Sequence, residues 1–167
     1  MNIQAHLFPR YLRRPVVQEP EPQAILNPRL QELHDLWNSK RENRIAPARS
    51  DFTIGEFRPW LGHLLILDNV GSRDRIRYRL YGSKLVELFG FDLTNRTVLD
   101  SMLLIGDRAL IEYETVARLG QPVHVSRYTP TAKRHIQVDK LALPLISDGH
   151  VDQILAAIYP SQQEGDS

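Results

Sequence analysis

Hydrophobic positions along this chain change period several times, and each change marks an element. From Arg75 to Tyr81 the alternation is strict: Ile76, Tyr78 and Leu80 fall on one side, Arg75, Arg77, Arg79 and Tyr81 on the other. A period of two with one polar face predicts a half-buried antiparallel strand. Gly82 interrupts it. Ser83 suits the cap of a following helix, where its hydroxyl would accept a first-turn N–H. Leu85, Val86, Leu88 and Phe89 supply that helix with an apolar stripe, and Gly90 stands at the C′ position. Upstream, Asn27 and Pro28 predict the N-cap and first residue of a helix ending near Arg41, with Leu30, Leu33, Leu36 and Trp37 at helical spacing. A shorter helical piece is expected over Thr53–Trp60, capped by Asp51 or Thr53 and distorted by Pro59. Leu64–Val70 is an apolar strand, joined to the Arg75–Tyr81 strand by a turn at Gly71–Asp74.

The second half continues the pattern. Asp92–Met102 is irregular. A longer helix runs from about Asp107 to Leu119 on Leu110, Tyr113, Val116 and Ala117, and Gly120 and Pro122 end it. Strands are then expected over Pro122–Thr129, Arg134–Leu145 and Val151–Tyr159, with turns at Pro130–Lys133 and Ser147–His150. The short turns cannot make parallel crossovers. The fold class is therefore α+β: a five-stranded antiparallel sheet with helices on one face, plus an N-terminal helix. The organisation is a flexible N-terminal arm over residues 1–24, holding Pro9, Pro15, Pro20 and Pro22, a domain over 25–160 and a polar tail over 161–167.

Composition narrows the chemistry. With 167 residues the chain is the size of one domain, and its formal net charge of +1 gives no global field for nucleic acid or a membrane surface. It has no cysteine, which removes disulfide and thiolate chemistry and fits a cytoplasmic setting. No apolar run approaches the roughly 20 residues of a membrane span. No nucleophile motif, phosphate-binding glycine loop or metal-ligand spacing is present. The six histidines include no i, i+4 helical pair. His124 and His135 stand out because the expected hairpin gives one sheet face His124, Ser126, Tyr128, His135, Gln137 and Asp139. Val123, Val125, Ile136 and Val138 take the other and face the helices. The polar face reads either as a solvated surface or as a partner surface with His124, Tyr128 and His135 at its centre. An amphipathic N-terminal helix must bury its stripe on its own sheet or on another subunit. A homodimer with Leu30, Leu33, Leu36 and Trp37 in its interface, Leu33 and Trp37 near the middle, is the expectation. The alternative is a small enzyme or carrier using His124, His135 and Asp139 for acid–base work.

One run is more specific than the pattern around it. Tyr78, Arg79, Leu80, Gly82, Ser83, Leu85, Leu88, Phe89, Gly90, Asp92, Leu93, Asn95 and Arg96 together resemble the best-kept stretch of single-domain bacterial PAS proteins. The resemblance implies a five-stranded sheet of spatial order 2-1-5-4-3. It also implies a sensory or adaptor role in bacterial signal transduction, exercised through protein contacts with signalling proteins such as histidine kinases. A ligand pocket would lie under the helices, lined by Tyr78, Leu80, Leu85, Phe89, Val98, Leu110, Tyr113 and Val125. The light-sensing flavin members of the superfamily form an adduct with a cysteine, which this chain lacks. Haem-binding members commonly ligate iron from the long helix, and Asp107–Leu119 has no histidine. The ligand is left open, with no catalytic residues and no metal expected.

Overall fold

A computed structural model describes residues 24–161, so the N-terminal arm and the polar tail expected from the sequence fall outside the described residues, apart from Ala24 and Ser161. Helix α1 spans Pro28–Arg41. Asn27 Oδ1 caps it, accepting the N–H groups of Arg29 at 3.0 Å and Leu30 at 3.3 Å, two donors that a helix start leaves orphaned. Two 3₁₀ segments follow, Arg49–Asp51 and Ile54–Trp60. Thr53 begins the second, and the Glu56 carboxylate accepts its N–H at 2.8 Å. Pro59 sits inside this segment, which is 3₁₀ throughout.

The remaining elements are β1 (Leu64–Asp68), β2 (Arg77–Tyr81), α2 (Ser83–Phe89), α3 (Met102–Ile105), α4 (Arg108–Leu119), β3 (Val123–Pro130), β4 (His135–Ser147) and β5 (His150–Pro160). They form one antiparallel sheet in the order β2-β1-β5-β4-β3. The middle strand is β5, with β1 beside it. A two-residue turn at Asp148 and Gly149, both at positive φ, joins β4 to β5, as the right-handed twist of a tight hairpin requires.

Two glycines fix the start and end of α2 for different reasons. Gly90 has φ +87°, a conformation that strains any side chain, and a Cβ there would press on the Ala132 Cβ at 3.0 Å. Gly82, not Ser83, is the N-cap, and its φ of −64° is ordinary. What Gly82 requires is proximity: a Cβ would lie 2.2 Å from the Gly62 carbonyl oxygen. Leu85 N–H donates to that same oxygen at 3.2 Å, pinning the helix to the turn before β1. Gly90→Val is expected to destabilise the fold by more than about 1 kcal/mol, and Gly82→Ala by roughly 1–3 kcal/mol. Wild-type urea midpoints would refute either assignment.

The sheet is covered on both faces. On one, α2, α3 and α4 close over a core that includes Leu67, Ile76, Tyr78, Leu85, Leu110 and Ile154. On the other, α1 and the 3₁₀ segments set Leu30, Leu33, Trp37, Phe57 and Trp60 against Leu64, Leu141, Leu143 and Leu155. Trp37 Nε1 donates to the Pro144 carbonyl at 2.8 Å, satisfying the indole inside this second core. The dimer surface expected on α1 is therefore corrected. Leu30 and Leu33 are 0% exposed, Trp37 is buried beside them, and Leu36 is half-buried against the same core. The stripe found its own sheet because β1, β4 and β5 are apolar on both faces.

Candidate ligand cavity

The site begins with an irregularity in β2. Leu65 pairs with Tyr81, Ile66 with Leu80 and Leu67 with Tyr78, so Arg79 is an extra residue and the pairing slips between Ile66 and Leu67. Such a bulge flips every later side chain to the opposite face. Tyr81 thereby turns under the helices beside Tyr78, at 5.7 Å in an edge-to-face contact. Leu80 is carried to the opposite face and is 38% exposed. Strict alternation had placed Leu80 inside and Tyr81 outside; the bulge reverses both.

Between this part of the sheet and the helices lies a small cavity of about 50 Å³. Of the residues proposed from sequence, Tyr78, Phe89 and Tyr113 line it. Leu85, Val98 and Leu110 are fully buried in the surrounding core without reaching the cavity, and Val125 packs at the margin of that core.

The polar part of the wall comes from residues the sequence reading passed over. Arg127 on β3 and Lys140 on β4 both line the cavity. Their alternation with Val125, Thr129, Val138 and Ala142 places them on the helix-facing side, where they meet Glu112 of α4. Arg127 Nη1 pairs with Glu112 Oε1. Lys140 Nζ sits 2.8 Å from Glu112 Oε2 and 3.9 Å from the centroid of the Tyr113 ring. Only 3% of Lys140 is exposed. Burial, followed by the like charge of Arg127, pushes the Lys140 pKa down to about 7. The Glu112 carboxylate opposes this by holding the proton in place. Burial likewise raises the pKa values of Tyr78, Tyr81 and Tyr113, keeping all three phenols protonated.

The signal for this cluster was present in the alternation. Val138 was legible as helix-facing, and Lys140 lies two residues on with the same parity. Arg127 stands in the same relation to Val125. On α4, Glu112 turns inward while Glu114 bonds Arg73 at the surface, as the two-residue spacing predicts.

The opposite sheet face carries His124, Ser126, Tyr128, Gln137 and Asp139, as the sequence indicates. Tyr128 pairs with Gln137, His135 with Pro130 and His124 with Leu141. His135 and Asp139 are four residues apart on one strand, about 13 Å at strand rise. The acid–base constellation of His124, His135 and Asp139 is thus not assembled. Both ring nitrogens of His124 are buried without a hydrogen-bond partner among the described residues, and burial lowers its pKa against the opposing pull of Asp139. Tyr128 and His135 are exposed and border a surface groove of about 620 Å³ together with His63, Lys84, Lys133 and Arg134.

The flavin and haem of related sensors can be tested against this geometry. Pockets for drug-sized ligands span roughly 300–1,000 Å³. A cavity of about 50 Å³ admits neither group, and no cysteine is available for a flavin adduct. Among the described residues, no group of three or more His, Asp or Glu side chains is placed to hold a metal ion, and no helix is long and apolar enough to cross a membrane.

Comparison with known proteins agrees with the fold. The similar solved structures include a light-oxygen-voltage domain from work on a flavin analogue, at 11% identity and a TM-score of 0.51, covering 66% of this chain and 85% of that one. The PAS domain of BvgS from Bordetella pertussis is 14% identical with a TM-score of 0.49, covering 80% of this chain and 89% of that one. A sensory box sensor histidine kinase from Vibrio cholerae is 13% identical with a TM-score of 0.48, covering 66% and 90%. No curated protein matches. The PAS domain family profile matches residues 26–159, which hold α1, the 3₁₀ segments, α2–α4 and all of the sheet but Pro160, and the chain belongs to the PAS domain family.

Proposed function

We propose that this protein is a ligand-sensing PAS adaptor in bacterial signal transduction, which passes its state to partner proteins by direct contact. The observation that carries the reading is the cavity under α2–α4. It is walled by apolar side chains yet holds two cationic ones, Arg127 and Lys140, that the fold must desolvate. Buried charge of this kind costs stability and adds no better packing than apolar residues would, so its presence fits a role in recognition. Output falls to exposed surface. With the α1 stripe buried, docking of a second copy or of a signalling protein such as a histidine kinase is assigned to the β3–β4 hairpin, where Tyr128 is 67% exposed beside His135. That hairpin is tied to α2 by the Ala132 N–H donating to Leu88 O at 3.1 Å, and α2 forms one side of the cavity through Phe89. A change inside the cavity therefore has a short mechanical route to the outer groove.

Native mass spectrometry of purified protein tests both halves. The expected spectrum shows added small-molecule mass that is lost on denaturation. Tyr128→Asp should leave that mass intact while weakening self-association or kinase contact. A bare polypeptide mass in every preparation, with no ligand-dependent change in melting temperature, overturns the sensing role.

A further inference from the structure

The charges at the cavity are unevenly placed. Arg127 and Lys140 share one counter-ion, Glu112, so with Lys140 protonated the cluster carries two cations against one carboxylate. Glu112 itself does not reach the cavity, and no Asp or Glu is among the residues that do. Every charged group facing the space is therefore a cation. Each cation also has donors in reserve. A guanidinium has five N–H donors, and Glu112 engages Arg127 through Nη1. An ammonium has three, and Lys140 directs one at Glu112 while its face over Tyr113 takes up another. Tyr81 and Thr129, in the same wall, carry neutral hydroxyl groups, while the Tyr78 hydroxyl donates to Tyr113.

From this juxtaposition we infer that the cavity binds a small monocarboxylate of one or two carbons, its oxygens on Arg127 and Lys140 and any methyl group against the apolar wall. The inference rests on the ligand-sensing reading above and names its ligand class. Charge sets the sign: one bound anion balances the cluster. Size sets the limit, because about 50 Å³ holds on the order of two water-sized groups. Shape favours a carboxylate over a spherical ion, since a guanidinium presents paired donors to two oxygens. Leu104 and Ile105 of α3 complete the apolar side of the wall. A longer chain would have to displace them.

The test is a titration of the intact wild-type protein with formate and acetate, followed by amide NMR, with chloride, nitrate and benzoate as comparison anions. Saturable one-site shifts with formate or acetate are expected at Tyr78, Arg127, Thr129 and Lys140, and no saturation with chloride or benzoate. Folded Lys140→Met should lose affinity at least tenfold. Ile105→Phe, which fills the cavity without touching the charges, should lose binding as well. Equal response to chloride, saturation confined to surface residues, or undiminished binding in a folded Lys140→Met protein overturns the inference. So does silence toward both carboxylates. If native mass spectrometry then still shows another retained molecule, the carboxylate assignment fails and the sensing role stands.

Discussion

Glu112→Gln is expected to cost about 3–5 kcal/mol of folding stability at neutral pH, the scale for breaking a buried ion pair from one side. The carboxylate holds Arg127 on one oxygen and Lys140 on the other, with Lys140 2.8 Å away. Removing its charge leaves the partly buried Arg127 guanidinium and the buried Lys140 without their shared carboxylate. The pH dependence carries a definite sign. Lys140 has its folded pKa lowered to about 7 from an ordinary 10.5. Between those values the unfolded chain holds a proton that the folded one releases, so this group makes stability rise as pH climbs from about 7 toward 10.5. Below about 7 both states are protonated and the contribution is flat. Loss of Glu112 lowers the folded pKa further, because the group that held the proton is gone. The deficit in Glu112→Gln is therefore expected to be smaller at pH 9 than at pH 7 and to grow as pH falls below 7. Adding Lys140→Met should recover part of it at both. Urea unfolding at the two pH values reads all of this. A deficit under about 1 kcal/mol, or one that grows from pH 7 to pH 9, would contradict a buried, carboxylate-held Lys140.

Leu33→Asp comes next in size, with at least about 4 kcal/mol expected: truncating a buried Leu costs roughly 2–5 kcal/mol, and an unpaired carboxylate adds its desolvation. The outcome distinguishes two pictures of α1. Were Leu33 at an interface between copies, the variant would be a well-folded monomer. Because Leu33 is 0% exposed between α1 and the sheet, the variant is expected to melt early or fail to fold, whatever its oligomeric state. Circular dichroism melting together with light scattering separates the cases. Tyr128→Asp, on the exposed hairpin, should change stability by no more than about 0.5 kcal/mol.

The error over α1 has an identifiable origin. The runs Leu64–Leu67, Leu141–Leu145 and Ile154–Ile158 are apolar without alternation. Continuous apolar strands are the mark of a sheet buried on both faces. Taken seriously, they require a second covering layer, and the helix next to the 3₁₀ segments is the element available to supply it. Leu141, Leu143 and Leu145 face that layer, while Val138, Lys140 and Ala142 face the other.

What the sequence determined alone is what short-range rules govern. The Asn27 cap, the helical spacing of Leu30, Leu33 and Trp37, the αL stop at Gly90, the long helix ending at Gly120 and the antiparallel hairpins are each set by a few neighbouring residues. So is the division of the β3–β4 hairpin into a polar and an apolar face. Tertiary structure decided three things. The bulge at Arg79 exchanged Leu80 for Tyr81 in the cavity, because register depends on the partner strand and not on the strand itself. The closeness of Gly82 and Gly62 was decided by how two turns meet. The Glu112–Arg127–Lys140 cluster joins residues of α4, β3 and β4 that are distant in sequence, and a charge in an alternating strand looks solvated until its partner across the core is known. A cavity is a gap between elements, so its wall and its charge are properties of the packing, visible only when the helices are set on the sheet.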